Sequence, residues 1–439
     1  MTEHAGTRQP PRGPRRLGAE RGNGETRTAD SVALWRHGDF MKLWSAQTIS
    51  AFGDQFTGLA IPLIAALTLQ ATAGQMGILT AVERAPFLLI GLLAGVWVDR
   101  WPRRPILITG DLGRAAVLLT IPVAALTAGL SMLHLYAVGL VVGVLTVFFD
   151  VAYQAYLPAL VDRRQLVEGN SKLEATRSLA NLAGPGIAGV VIQVISAPLA
   201  IALDAVSFVI SGGLIRLIKG QEPAVVHGPR NPLIAEVREG LGVVFGHRLL
   251  RSIAGCTGTF NFFTSALFTL YFLFATRELG LGPAQIGIIF SLGNVSGLLG
   301  ALTAGRLARR VGVGRAIVAA TLIDGLGLIS IPLATRVTAF PLLVFSGLLT
   351  SFANPVYNIN QVSLRQAITP HRLQGRMNAT MRFLVWGTMP LGGLAGGLLG
   401  EVLGLRPAIA ISAAGGVLAF LWVVFSPVRT LKVIPEPAE

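Results

Sequence analysis

Three carboxyl side chains lie inside long apolar stretches of this chain: Asp54, Glu83 and Asp150. An ionisable group in such a stretch is costly unless it is paired or hydrated, which makes each of the three a functional candidate. A carboxyl group held away from bulk water can bind and release protons near neutral pH. We therefore expect proton binding here, with Asp54 as the first candidate, Asp150 as the second and Glu83 as the third. The alternative is a permanent hydrogen bond to a neighbouring helix, which would make the carboxyl group structural.

Four other charged residues in apolar stretches have a weaker claim to function. Asp111 and Arg114 are three positions apart, the spacing of a helical salt bridge, and we interpret the pair as structural. Asp204 and Asp324 each stand alone in their stretch. We expect both to cap a helix or to pair internally.

The sequence lacks the patterns typical of enzymes and metal sites. Its six histidines do not show the spacing of metal ligands, and Cys256 is the only cysteine. None of its lysines follows a glycine, so the phosphate-binding loop G-x-x-x-x-G-K is missing. We expect no metal, no cofactor and no enzymatic activity.

The composition predicts that the candidate residues are positioned by membrane helices. The 439 residues are 52% hydrophobic and only 13% charged, whereas about a quarter of a soluble chain is charged. Apolar runs of about 20 residues, the length that crosses a bilayer, follow one another along the chain. The sequence predicts an all-α membrane protein with twelve transmembrane helices, at 42–69, 75–98, 104–128, 132–156, 174–194, 197–218, 250–276, 283–305, 312–333, 338–362, 377–400 and 404–426.

The basic residues predict the orientation of these helices. The net charge is +14, but the arginines and lysines lie in short clusters between apolar runs, so we expect the lipid bilayer and not nucleic acid as partner. Clusters follow the even-numbered predicted spans, whereas the opposite loops carry only Arg277, Arg336 and Arg406. Because basic loops favour the cytoplasm, both termini are predicted to be cytoplasmic. The tails are 1–38, basic and predicted to be disordered, and 427–439.

The chain also resembles itself. The segment "GLLAGVWVDRWPRR" from Gly91 superimposes on "GLLGALTAGRLARR" from Gly297, and Asp54 falls near Asn261. This repeat predicts two parallel six-helix bundles with a substrate site between them near the membrane midplane. Their predicted limits are 39–218 for the first bundle, 219–249 for a cytoplasmic linker and 250–426 for the second bundle.

Several motifs resemble those of the major facilitator superfamily. "GVWVDRWPRR" resembles its loop signature G-x-x-x-D-R-x-x-R-R, and "LANLAGPGIAG" resembles its antiporter motif through Gly184, Pro185 and Gly189, with Ala188 in place of one expected glycine. "FGDQ", "FFDVAYQAYLPALV" and "LVEGNSKLEATRSLANLAGP" are similar to its drug-proton antiporter 3 branch, which includes macrolide efflux pumps and the enterobactin exporter.

The resemblance implies a gate at the inner mouth of the transporter. In the family, the aspartate of the loop is thought to latch helix 2 to helix 11, and the arginines complete a charge cluster. The corresponding residues here are Gly95, Asp99, Arg100, Arg103 and Arg104. The alternative is that these arginines only set the topology.

The resemblance also implies the function. We expect a multi-pass protein of the bacterial inner membrane that exports an amphipathic small molecule, such as a drug, antibiotic or siderophore, by proton antiport as a monomer. An importer or facilitator, and a receptor or scaffold that does not transport, are the alternatives. Aromatic and amide side chains around the carboxyl groups are expected to line the substrate site: Phe149, Tyr153, Phe260, Asn261, Asn354, Tyr357 and Trp386.

Overall fold

A computed structural model describes residues 2, 34–98, 100–220, 222 and 233–433. Regular structure in these ranges is entirely helical. The α-helices are α1 Gly38–Leu63, α2 Ala73–Leu89, α3 Gly91–Val98, α4 Arg103–Leu126, α5 Met132–Leu160, α6 Leu166–Ile195, α7 Ala197–Arg216, α8 Leu233–Gly246, α9 Arg248–Leu273, α10 Pro283–Val311, α11 Val313–Ser330, α12 Ala339–Ile368, α13 His371–Leu403, α14 Leu405–Leu418 and α15 Leu421–Val424.

The plan of twelve membrane crossings is retained, with one crossing broken. Eleven helices in the described ranges are long and apolar enough to span a bilayer, the last of them formed by α14 and α15 together. The second predicted crossing, 75–98, is instead divided into α2 and α3 at Ile90. Pro86, four residues before the break, has no amide hydrogen to donate and crowds the turn that precedes it, which loosens the last part of α2.

The predicted tail and linker differ from the structure at their edges. Residues 34–36 form a short 3₁₀ turn, and Leu34 is fully buried against the first bundle, so ordered packing begins before residue 38. The linker contains α8, which packs on α13. Apart from residue 2 and residues 34–38, the predicted N-terminal tail lies outside the described ranges. Residues 223–232 and 434–439 also lie outside them.

Three hydrophobic clusters show how the two six-helix halves meet. We call the side of the membrane on which α1 begins the proximal side, and the opposite one the distal side. One cluster on the distal side combines residues of both halves, such as Leu63 and Leu270. On the proximal side each half has a cluster of its own, around Tyr156 in the first half and Leu364 in the second. The halves are therefore joined distally and separate proximally.

Glycines allow the close approach of the halves on the distal side. A Cβ atom on Gly77 of α2 would lie 2.9 Å from the Cα of Gly397 of α13, so no larger side chain fits there. On the other seam, a Cβ on Gly189 of α6 would lie 3.0 Å from the Cα of Gly287 of α10. Such small-residue faces let helix backbones touch within a membrane.

Polar contacts close the same distal end. The Arg277 side chain donates to the carbonyl oxygen of Ala66 at 3.1 Å, across the two halves. Glu401 of α13 accepts a hydrogen bond from the Gly74 amide of α2 at 2.9 Å. These hydrogen bonds join the two halves at the distal end.

Candidate functional site

A cavity of about 610 Å³ lies between the two halves. Helices α1, α2 and α5 of the first half form one wall, and α9 of the second half faces them. The polar lining includes Asp54, Glu83 and Arg84 from the first half and Asn261 from the second. Two of the three predicted proton-binding carboxyl groups therefore share this cavity.

Two further cavities adjoin the first through shared side chains. One of about 510 Å³ lies in the second half, between α9, α11, α12 and α13, and shares Asn261 and Met389 with the first. The other, of about 420 Å³, lies between α5 and α13 on the proximal side and contains Asp150, Arg382 and Trp386. Arg382 and Trp386 also line the cavity of the second half. Each cavity thus shares lining side chains with a neighbour, and we call the three together the connected cavities.

Asp54 is held at the edge of the connected cavities by tight packing between α1 and α7. Its side chain is exposed to the cavity. The preceding residue, Gly53, is buried against α7, where a Cβ atom would come within 2.8 Å of the Cβ of Ser207 and would also collide with the carboxyl group of Asp204. The "FGDQ" motif therefore serves a close helix contact as well as presenting a carboxyl group.

Asp204 is fully buried behind Asp54 and is held by two hydroxyl groups. Thr57 of α1 donates a hydrogen bond to one carboxyl oxygen of Asp204, and Ser207 donates to the other at 3.0 Å. Asp204 also interacts electrostatically with Asp54. A buried carboxyl group thereby joins α1 to α7 directly beneath the one that faces the cavity.

Arg114 of α4 is the basic centre of this group. It forms a buried salt bridge of 2.5 Å with Asp111, as the spacing predicts, and Ser211 donates to the second oxygen of Asp111 at 2.6 Å. Its guanidinium group lies 4.3 Å from the ring centre of Phe149 and 4.1 Å from that of Phe208, in the geometry of a cation–π contact. Electrostatic interactions connect it to four carboxyl groups, those of Asp54, Asp111, Asp150 and Asp204.

We call Asp54, Asp111, Arg114 and Asp204 the acidic cluster. From the sequence, only Asp54 was predicted to be functional, because the cluster is assembled by the packing of three helices that are distant in sequence. One local signal was available. Asp204, Ser207 and Ser211 follow each other by three and four positions, which makes a polar stripe on one face of an apolar helix.

Glu83 lies apart from the acidic cluster, whereas Asp150 interacts electrostatically with two of its members, Arg114 and Asp54. Glu83 is half-buried in the cavity of about 610 Å³ between the halves, where its side chain packs against Gly139 of α5. Asp150 is half-buried in the proximal cavity and interacts electrostatically with Arg177 of α6 and Arg382 of α13. It therefore faces a basic residue of the other half.

Most of the predicted substrate-lining residues face the connected cavities. Phe260, Asn261, Asn354, Tyr357 and Trp386 all line the cavity of the second half. The structure places the other two differently: Phe149 is buried beneath the guanidinium group of Arg114, and Tyr153 stacks on Phe149 with 6.2 Å between ring centres.

The predicted gating loop is attached to its own half. Backbone amides of Arg103 and Arg104 donate to the carboxyl group of Glu222 at 2.7 and 2.6 Å, and the Arg104 side chain donates to carbonyl oxygens at the end of α7. Gly95 lines the proximal cavity, and Arg100 is exposed. Asp99 lies outside the described residues.

The residues of the predicted antiporter motif lie on two different contacts. Gly184 faces Gln55 of α1 within the first half, where a Cβ atom would lie 2.9 Å from the Cβ of that glutamine. Gly189 forms the seam to α10, and the carbonyl oxygen of Pro185 lies against Gly287 of the same helix. The motif thus packs α6 against α1, next to Asp54, and against α10 at the distal contact between the halves.

Comparisons with known proteins agree with this architecture. Residues 29–436 match the family model described as transmembrane secretion effector. The multidrug efflux pump Tap of Mycolicibacterium fortuitum is 27% identical over 90% of this chain and 97% of its own length, and the enterobactin exporter EntS of Salmonella typhimurium is 25% identical over 87% and 90%.

A solved structure shares the fold. A bacterial homologue of the iron transporter ferroportin in its inward-facing state superimposes with a TM-score of 0.72 at 18% identity, covering 88% of this chain and 98% of that one. With the family match over nearly all of the described residues, this multi-pass membrane protein belongs to the transmembrane secretion effector family of major facilitator superfamily transporters.

Proposed function

We propose that this chain is a secondary active transporter that exports an amphipathic small molecule in exchange for protons, by alternating access. The observation that carries the proposal is Asp54, whose carboxyl group is exposed to the cavity between the halves while Arg114 and Asp204 lie behind it. Protons and substrate can therefore reach the same group from the same space. The names of the relatives, a multidrug efflux pump and an enterobactin exporter, support the outward direction.

The orientation belongs to the same proposal. Exposed arginines such as Arg100, Arg309 and Arg310 lie at the proximal ends of helices, and basic groups favour the cytoplasm. We assign the proximal side, with both tails, to the cytoplasm of a bacterial inner membrane. In this orientation the connected cavities receive substrate from the cytoplasm, and the distal contacts close the path outward.

Coupling would act through the attraction between α1 and α4. When Asp54 is protonated, Arg114 keeps its salt bridge to Asp111 alone. When Asp54 is ionised, the same guanidinium group attracts carboxylates on both helices. Because that attraction depends on how α1 and α4 are arranged, the proton stabilises one arrangement relative to the other, and a difference of about 1–3 kcal/mol is typical of such coupling.

The cavity lining supports an amphipathic substrate. Trp386 and Phe260 offer apolar surface, and Asn354 and Asn261 offer hydrogen bonds at the same space. Pockets that combine aromatic walls with a few polar groups bind small amphipathic molecules.

Both walls of the cavity come from one chain, so we propose a monomer as the transporting unit. We also propose that the loop from Gly95 to Arg104 acts as the proximal gate.

The test is efflux of a fluorescent dye in energised inverted membrane vesicles. We expect gradient-dependent transport by the wild type and a loss of at least tenfold in Asp54→Asn, with dye binding retained. Asp162→Asn is the control, because Asp162 is an exposed residue between α5 and α6.

Three results would contradict the proposal. Equal efflux by Asp54→Asn would assign Asp54 to packing and move coupling to Asp150 or Glu83. Transport that persists after the proton gradient collapses would indicate a facilitator. Binding without any transport by the wild type would indicate a receptor or scaffold.

A further inference from the structure

Asp324 is a buried carboxyl group without a partner in the second half. It is 7% exposed and lies in the middle of α11. Among the described residues, its side chain forms neither a salt bridge nor a hydrogen bond. Asp204, by contrast, is fully buried and accepts two hydrogen bonds.

Asp324 nevertheless has access to solvent-sized spaces on two sides. It lines the cavity of the second half, and it also lines a cavity of about 860 Å³ between α6, α9, α10, α11 and α12. An ionised carboxylate in a membrane span without a counter-charge is costly by several kcal/mol. The side chain can therefore remain there if it carries a proton, and the cavities provide the route by which that proton arrives and leaves.

No ionisable group around Asp324 forms a salt bridge with it among the described residues. On α9, Cys256 interacts with it electrostatically. On α12, Tyr357 is engaged with Thr257 at 2.6 Å, and Arg365 lies in the same cavity with its Nε atom unbonded. On the remaining walls, Arg382 of α13 lines the cavity of the second half, and Glu174 of α6 lines the cavity of about 860 Å³. Helix α14, which packs beside Asp324, contributes Arg406 only at its distal end.

The internal repeat shows which residue of the first half corresponds to Asp324. Aligning Ile121-Pro122 of the first half with Ile331-Pro332 of the second places Asp324 at the position of Arg114. Helix contacts agree, because Arg114 packs on Phe208 of α7 and the neighbour of Asp324, Gly325, packs on Val417 of α14. The second half thus carries an acid where the first half carries its basic centre.

We propose that Asp324 is a second proton-binding carboxyl group, which takes up and releases its proton independently of the acidic cluster. Its independence follows from its placement, because none of the four cluster residues lines either of the two cavities that Asp324 lines. Transport of this proton together with that of Asp54 rests on the proposed function; its binding does not.

The test uses infrared difference spectra of the full-length protein in liposomes, recorded between acidic and neutral buffer. Wild type is expected to show at least two protonated-carboxyl components. Asp324→Asn should remove one of them and leave the component that Asp54→Asn removes, whereas Asp162→Asn should remove neither. Circular dichroism of each variant verifies that the helices are retained.

An unchanged carboxyl spectrum in Asp324→Asn would overturn the inference, and so would one component lost in both Asp324→Asn and Asp54→Asn. Proton counting during transport separates the two proposals. If wild type transports without protons, the proposed function fails, while the infrared spectra still decide whether Asp324 binds one. If wild type couples transport to protons, the number of protons per substrate should fall in Asp324→Asn.

Discussion

The two halves of the molecule repeat one arrangement of helices but place different charges at equivalent positions. The first half gathers three carboxyl groups around one guanidinium group, whereas the second half holds a buried acid that forms neither a salt bridge nor a hydrogen bond among the described residues. The equivalent pairs are Asp54 and Asn261, Asp111 and Thr321, Arg114 and Asp324, and Asp204 and Ala413. The helix arrangement therefore determines which positions face the interior, and the side chain at each position determines whether that interior holds a paired charge or a lone one.

The largest difference between the halves should appear on removing Arg114. Arg114→Met leaves Asp111 buried and without its counter-charge. Loss of one partner of a buried pair destabilises a protein by about 3–5 kcal/mol. Thermal unfolding of the purified protein in detergent measures the effect.

Arg315→Met is the matched control, because Arg315 is exposed on α11, the helix equivalent to α4. A surface substitution of this kind changes stability by no more than about 0.5 kcal/mol. If the two variants unfold at the same temperature, the acidic cluster does not depend on its basic centre.

A smaller difference is expected from the glycine beside Asp54. Gly53→Ala adds a Cβ atom that meets Ser207 and Asp204, and overpacking of this kind costs about 1–3 kcal/mol. Gly58→Ala is the control on the same helix, since a Cβ there meets nothing within 4 Å. In the second half the position of Gly53 is occupied by Phe260, so the close contact is a property of the first half only. Equal unfolding temperatures for the two alanine variants would contradict the tight packing of α1 against α7.

The smallest effect is expected at Asp324 itself. Asp324→Asn replaces a protonated carboxyl group, which has no bonded partner in the described structure, by a neutral amide of similar size, so unfolding should shift by no more than about 0.5 kcal/mol in either direction. The measurement is again thermal unfolding in detergent, beside Arg114→Met. A clear loss of stability would reveal that the carboxyl group holds a partner and would remove the contrast between the halves.

The fold could be predicted from the sequence to a large extent, because it depends on local properties. Apolar runs of bilayer length predicted the crossings, and the repeat predicted two similar halves. The break at Ile90 was not predicted, since hydropathy along 75–98 is continuous and the break depends on backbone geometry beyond Pro86. The short π-helical turns after α1 and α9, Ile64–Thr68 and Phe274–Glu278, are likewise features of hydrogen bonding that hydropathy does not contain.

The candidate site could be predicted only in part. Asp54 could be selected as a candidate because a charge in an apolar helix is conspicuous by itself. Arg114 and Asp204 were interpreted as structural, since their importance lies in contacts between α1, α4 and α7 that no local pattern encodes. The role of Asp324 required the opposite observation, the lack of a bonded neighbour among the described residues, which only the packed structure provides.

The shared distal cluster has a consequence for temperature. Apolar side chains of both halves hold the distal end closed, and any opening there must expose some of them to water. The hydrophobic contribution to such a contact weakens on cooling, whereas hydrogen bonds such as that from Arg277 to Ala66 do not weaken in the same way. Cold should therefore loosen the distal closure, so that the balance between the two open states depends on temperature even without substrate or a proton gradient.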